Sequence, residues 1–225
     1  KINLKNFFPN VKENFNLLNH ELSLRYLKDN LSINGEGDIL IQDKKDSLKY
    51  SINKKNNILD FKTSLRIDDN PLIIEPLNYE KNKALIQLEG SKNKKNEIYI
   101  KEFLIDEKEN QIRVKNVSLN KKLEIVKLGS VFLDYIDKED QKNQIKFYPM
   151  KNRYILKGSS FNANSLIDDL LFDDKNSNFF NIDTRIKVNI DKIFLDNEYD
   201  LFNFNGDIFF KNKELVKANL NGSFP

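Results

Sequence analysis

The chain has 225 residues, 37 of them basic and 34 acidic, for a formal net charge of +3. With no block of six like charges, this balance reads as solvated turns, KNKK (92–95) among them, rather than a nucleic-acid or membrane patch. Cysteine is absent, which excludes disulfide scaffolds, thiolate metal sites and cysteine nucleophiles. Only 39% of residues are hydrophobic against 32% charged, thin for a compact globule but suited to a one-sided sheet, half of whose side chains face water.

In chain order, the opening KINLK has strand character, and NFFPNVKENFNLLNH reads as a loop or short helix. No run of 18 apolar residues is present, and the opening lacks the apolar stretch of a signal peptide. A start without Met, directly in strand-like sequence, points to a segment of a longer protein. From Glu21 onward apolar residues alternate with polar ones, the period-two pattern of strands with one greasy and one wet face. Leu22, Leu24 and Tyr26 alternate, KDN (28–30) turns the chain, and 31–42 forms a second strand with a bulge or bend expected at Gly35-Glu36-Gly37. LKYSI (48–52) and ILDFKTSLRI (58–67) make a hairpin across NKKNN (53–57), and DDNP (68–71) turns again.

Further strands are expected at 84–90, 98–106, 112–119, 122–136, 144–150 and 153–160. SLIDDLLFDD (165–174) breaks the pattern: Leu166 with Leu170, and Ile167 with Leu171, at i,i+4 predict a short helix over about 165–173. Strands resume at 181–196, 200–212 and 214–224. Asn stands in several turns where Gly is usual, because it tolerates the left-handed backbone of tight hairpins. The expected fold is all-β: a single extended, twisted, mostly antiparallel sheet of roughly twelve to fourteen strands over residues 1–225, ~60 Å across, with one short helix.

Chemistry-bearing residues are sparse. The single histidine, His20, lacks the partners that metal or triad chemistry needs and reads as a surface or turn residue. Asp168-Asp169 and Asp173-Asp174 are neighbours on a helix that point different ways, ordinary helix-end acids rather than a carboxylate pair. GEG (35–37) is no phosphate loop, since neither GxGxxG nor GKS/T follows. Phe179, Phe180, Phe194, Phe202, Phe204, Phe209 and Phe210 crowd the C-terminal part, but acids alternate with them, which favours core or groove lining over a stacking platform for nucleic acid. No catalytic residue, metal or cofactor is expected.

LKGSSFNANSLIDDLL (156–171) resembles the strand, Gly, small polar, Phe-Asp-Ala, helix segment of AsmA-like proteins of the YhdP type, with Asn162 where Asp is usual. The run NIDTRIKVNIDKIFLDNEYDLFNFNGDIFFKNKELVKANLNGSF (181–224) is similar to that family's alternating strands, so the resemblance covers about 145–225. It implies a periplasmic chain tethered to the inner membrane of a Gram-negative envelope. It also implies a sheet curled into an apolar groove that carries phospholipid acyl chains between the two membranes.

The physics of such a conduit stands apart from the resemblance. Each methylene exposed to water costs ~0.8 kcal/mol, so an acyl chain of ~14 methylenes meets a barrier of order 10 kcal/mol on leaving a bilayer. A continuous apolar trough removes most of it without any catalytic group. The lining expected from the alternation is Leu22, Leu24, Ile33, Ile39 and Ile41 in the first strands, then Phe61, Leu65, Ile67, Ile86, Leu88, Ile98, Ile100 and Val114. Ile186, Val188, Phe204, Ile208 and Phe210 complete it near the C-terminus. The same residues would equally form a closed core under a second sheet or the helix, which leaves a structural or adhesive β-scaffold open as the other reading. An enzyme with a carboxylate site around 168–174 is the third.

Overall fold

The computed structural model describes residues 16–165, 183–195, 199–211 and 214–225. It is all-β. Sixteen strands run β1 (Asn16–Leu27), β2 (Asn30–Leu40), β3 (Asp46–Lys55), β4 (Ile58–Ile67), β5 (Leu72–Ile74), β6 (Tyr79–Lys81), β7 (Ala84–Lys92), β8 (Ile98–Glu107), β9 (Asn110–Leu119), β10 (Ile125–Lys127), β11 (Ser130–Ile136), β12 (Lys142–Met150), β13 (Arg153–Asn162), β14 (Thr184–Phe194), β15 (Asp200–Lys211) and β16 (Glu214–Ser223). All but β5 and β6 belong to one sheet of fourteen strands that does not close into a barrel; thirteen of them pair in chain order, and β10 pairs with β9 beside that path. Among the described residues every pairing is antiparallel except β13 with β14. Of the helix expected over 165–173 only the first residue is described, in a helical start at 164–165; the rest lies outside the described residues, as do the opening KINLK and the paired aspartates at 168–169 and 173–174.

The hairpin turns follow from their residues. Lys28-Asp29 and Asn56-Asn57 both hold positive φ at two successive positions (47° and 64°, 50° and 63°), the mirror-image turn whose twist matches that of the flanking strands. At Asn93 and Asn120 the side-chain Oδ1 accepts backbone N–H groups two and four residues on, so the side chain takes the place of a backbone turn.

Three details depart from the sequence pattern. The stretch 122–136 is two strands, β10 and β11, parted at Gly129, where a Cβ would lie 2.2 Å from the Lys115 carbonyl oxygen. β2 runs unbroken through Gly35 and Gly37; the irregularity falls on its partner β1, between Leu18 and Glu21, where Asn19 has φ 49°. The segment 72–81 contributes its own short β5–β6 hairpin, closed by a 3-10 turn at Glu75–Leu77 and a left-handed Asn78.

That hairpin covers one end of the sheet's apolar face. Leu72 and Tyr79 are almost wholly buried beneath it. Tyr135 Oη donates to the Leu77 carbonyl at 2.8 Å, the Lys138 backbone N–H donates to the Asn78 carbonyl at 2.9 Å, and Gln42 Nε2 donates to the Pro71 carbonyl at 2.9 Å. The Tyr79 and Tyr135 rings meet edge to face at 5.6 Å, the arrangement that aromatic quadrupoles favour.

Candidate functional site: the apolar face

Strand register sorts the side chains into rungs that run across the sheet. In one rung, Leu48, Leu65, Ile86 and Ile105 stand opposite one another in successive pairs. It continues through Ile112, Leu133 and Ile145, then through Gly158, Ile190 and Phe204. The next rung begins at Leu22, Gly35 and Tyr50. It passes through Thr63, its polar member, then Leu88, Phe103, Val114, Val131 and Phe147 to Leu156 and Val188. A third carries Leu24, Ile33, Ile52, Phe61 and Ile100, and Ile186 and Ile208 farther along. Ile98 and Phe210 sit at the far end of this same face, Ile39 and Ile67 at the covered end.

Of the residues expected to line a groove, all that lie in strands therefore share one face of one sheet. Ile41 differs: it follows the end of β2, in the turn, and packs against the core from there. Several others face inward but are sealed: Ile39, Leu65, Ile67, Ile186 and Val188 are buried in the core cluster, so they support the trough and do not line an open surface.

The face is unevenly covered. One cluster joins Ile39 on β2 to Ile193 on β14. A flat sheet would leave such residues wet on one side, so their burial requires the sheet to bend over them, with β5–β6 completing the cover at one end. On the outermost strand β1, in contrast, Leu22, Leu24 and Tyr26 are 61%, 61% and 65% exposed. Leu215 and Leu220 on β16, at the opposite edge, are exposed as well.

Side chains the sequence pattern passed over fill the centre of the face: Tyr50, Ile105, Ile112, Leu133 and Phe147. β8 shows why. Strict alternation from Ile98 and Ile100 continues to Glu102 and Leu104, but a register shift in the β7–β8 pair, opposite Glu89 and Gly90, brings Phe103 and Ile105 onto the apolar face instead. One extra residue reverses every later side chain in a strand.

Polar groups gather at the covered end. Asp137 Oδ2 accepts from Asn143 Nδ2 at 3.1 Å and from Asn162 Nδ2 at 2.9 Å, and Asn162 Nδ2 also donates to Glu139 at 3.0 Å. Asp46 takes a bond from Asn70 Nδ2 at 2.8 Å. Burial pushes the Asp46 carboxyl above the usual carboxylate range, partly offset by that bond. Burial likewise pushes the Tyr79 and Tyr135 hydroxyls well above their ordinary value, so both stay neutral. Contrary to the surface or turn position expected for it, His20 lies in the β1 irregularity, half-buried. It stacks on Tyr50 at 5.6 Å, and neither ring nitrogen has a hydrogen-bond partner. Among the described residues no group of three or more His, Asp or Glu is placed to hold a metal ion.

No protein-family model, curated protein or solved structure matches the chain.

Proposed function

We propose that this chain is a non-catalytic, lipid-sheltering segment of an AsmA-like envelope protein. In that reading it is held in the periplasm by an inner-membrane anchor elsewhere in the full-length protein and passes phospholipid acyl chains along its apolar face. The observation that carries the reading is the distribution of exposure on that face. Mostly apolar rungs, with Thr63 and strand glycines among them, run from a sealed centre to edge strands where Leu22, Leu24 and Tyr26 stand in solvent. Exposing several large apolar side chains together is costly, at ~25 cal/mol per Å², and such a patch on a soluble surface marks a site for something apolar.

The test is native mass spectrometry of the purified chain together with uptake of a fluorescent phospholipid. Co-purifying phospholipid, displaced by the fluorescent one, is the expected result; a lipid-free protein that takes up none overturns the proposal. A photo-crosslinker belongs at Leu24, which stands exposed on β1. Capture of lipid there supports the conduit.

The structural β-scaffold remains the second reading, favoured by the sealed cluster that runs from β2 to β14. It expects the Leu24 crosslinker to capture protein or nothing.

A further inference from the structure

The near-neutral net charge conceals a segregation on the other, wet face of the sheet. Over β2–β8 this face alternates in sign and its charges pair: Lys49 with Glu36 at 2.7 Å, Lys101 with Glu89 at 2.6 Å. Over β9–β16 pairs persist, Arg113 and Lys115 with Glu102, Lys142 with Asp134 and Lys192 with Asp200, but other cations stand against one another or against rings. Phe132 stands between Arg113 and Lys146, and Lys146 in turn lies directly opposite Lys157. Lys187 faces Ile155 on one side and Asp207 on the other. Like charges directly opposite in a sheet are destabilising, so this row holds the fold back.

Three of these other cations have rings beneath them where the earlier strands have carboxylates. Lys146 lies 5.2 Å from the Phe132 ring centre, Lys157 lies 5.7 Å from that of Tyr148, and Arg185 lies 5.4 Å from that of Phe209. Met150, on the same face, is half exposed. A shallow hollow between Arg113, Lys115, Phe132, Lys146 and Tyr148 gives the row a concave seat.

We propose that the outer face of β9–β15 docks on an anionic phospholipid bilayer. Cations interspersed with partly exposed aromatic and aliphatic side chains suit a headgroup layer, where charge meets phosphate and the apolar groups reach the acyl boundary. Single-stranded nucleic acid needs free ring faces on which bases stack, and here the protein's own cations occupy them. The proposal is independent of whether the opposite face shelters lipid.

The experiment is co-sedimentation of the 225-residue chain with phosphatidylcholine vesicles, with and without phosphatidylglycerol, across a salt series. Binding is expected only with phosphatidylglycerol and is expected to fall as salt rises. Combining Lys146→Gln, Lys157→Gln, Arg185→Gln and Lys187→Gln should weaken it more than about a hundredfold, at roughly fivefold or more per cation. Combining Lys49→Gln, Lys62→Gln, Arg66→Gln and Lys101→Gln should leave it within about threefold of the parent, since one half of that face and not total charge does the binding. Equal binding to both vesicle types, equal loss in the two variants, or binding to oligothymidylate without binding to vesicles would each overturn the proposal. The salt series on the unaltered chain tests it even if a variant misfolds.

Discussion

Asn162 shows how one side chain reconciles its neighbours. Its amide donates to both Asp137 and Glu139, and its backbone N–H donates to Asn143 Oδ1 at 2.7 Å. The Asp that the AsmA-like pattern has at this position would bring a third carboxylate against two others. Asn162→Asp is therefore expected to cost about 2–4 kcal/mol, through two lost donors and like-charge repulsion in a buried site. Urea denaturation at neutral pH measures this. Asp46 gives a pH signature of the opposite kind. Its folded-state pKa lies above the ordinary 3.8 because of burial, so folding favours the protonated form. The resulting stability is full below the unfolded value and is lost as pH rises through the folded one. Asp46→Asn retains an oxygen for Asn70 and removes the ionisation. The variant should be the more stable protein at pH ~7 and lose that advantage near pH ~4, which paired denaturation curves at the two pH values will show.

At the level of strands, alternation identified nearly every one, because each has a polar and an apolar side and the turns carry Asn, Asp and Lys. It did not reveal where the alternation skips. Leu22 and Ile33 were assignable because no irregularity lies between them and the turn at 28–30. Phe103 and Ile105 were not, because a register shift depends on two strands at once and leaves no mark in either alone. The two glycines of β2 were read as a bend, whereas their role is to leave room for rings. A Cβ on Gly35 would fall 2.3 Å from Tyr50 Cζ, and one on Gly37 2.5 Å from His20 Nδ1. A ring laid over a strand glycine stabilises it. Gly35→Val should push Tyr50 off β2 and loosen β1. The expected readout is faster amide exchange at 21–27 with little change in β8 or β9. The β5–β6 cover was illegible for another reason: strands of three residues carry no periodicity.

The whole molecule grades from a sealed centre to wet edges, so two substitutions of similar chemistry should separate stability from binding. Ile105 is 2% exposed, and Ile105→Ala should cost about 2–5 kcal/mol in denaturation while leaving any bound lipid on the folded fraction. Leu22→Glu with Leu24→Glu lies on an exposed edge and should change stability by less than about 1 kcal/mol. It should nonetheless abolish phospholipid retention if the edge rungs are where acyl chains lie; unchanged retention would move the lipid elsewhere. The overall charge balance was plain in the sequence, but its division between the two halves of the outer face needed the strand order.

The one parallel pairing, β13 with β14, reverses the sense of every strand that follows. Along the sheet's main path there are thirteen strands. Uniform up-and-down alternation would leave the first and the thirteenth pointing the same way; with one reversal they point oppositely. If the outer margin of β16, which no described strand pairs, were laid against that of another copy's β1, in the same plane and the same way up, the two would meet antiparallel, in the more stable of the two ladder types. The orientation of a distant border is thus fixed by a single crossover in the middle of the fold.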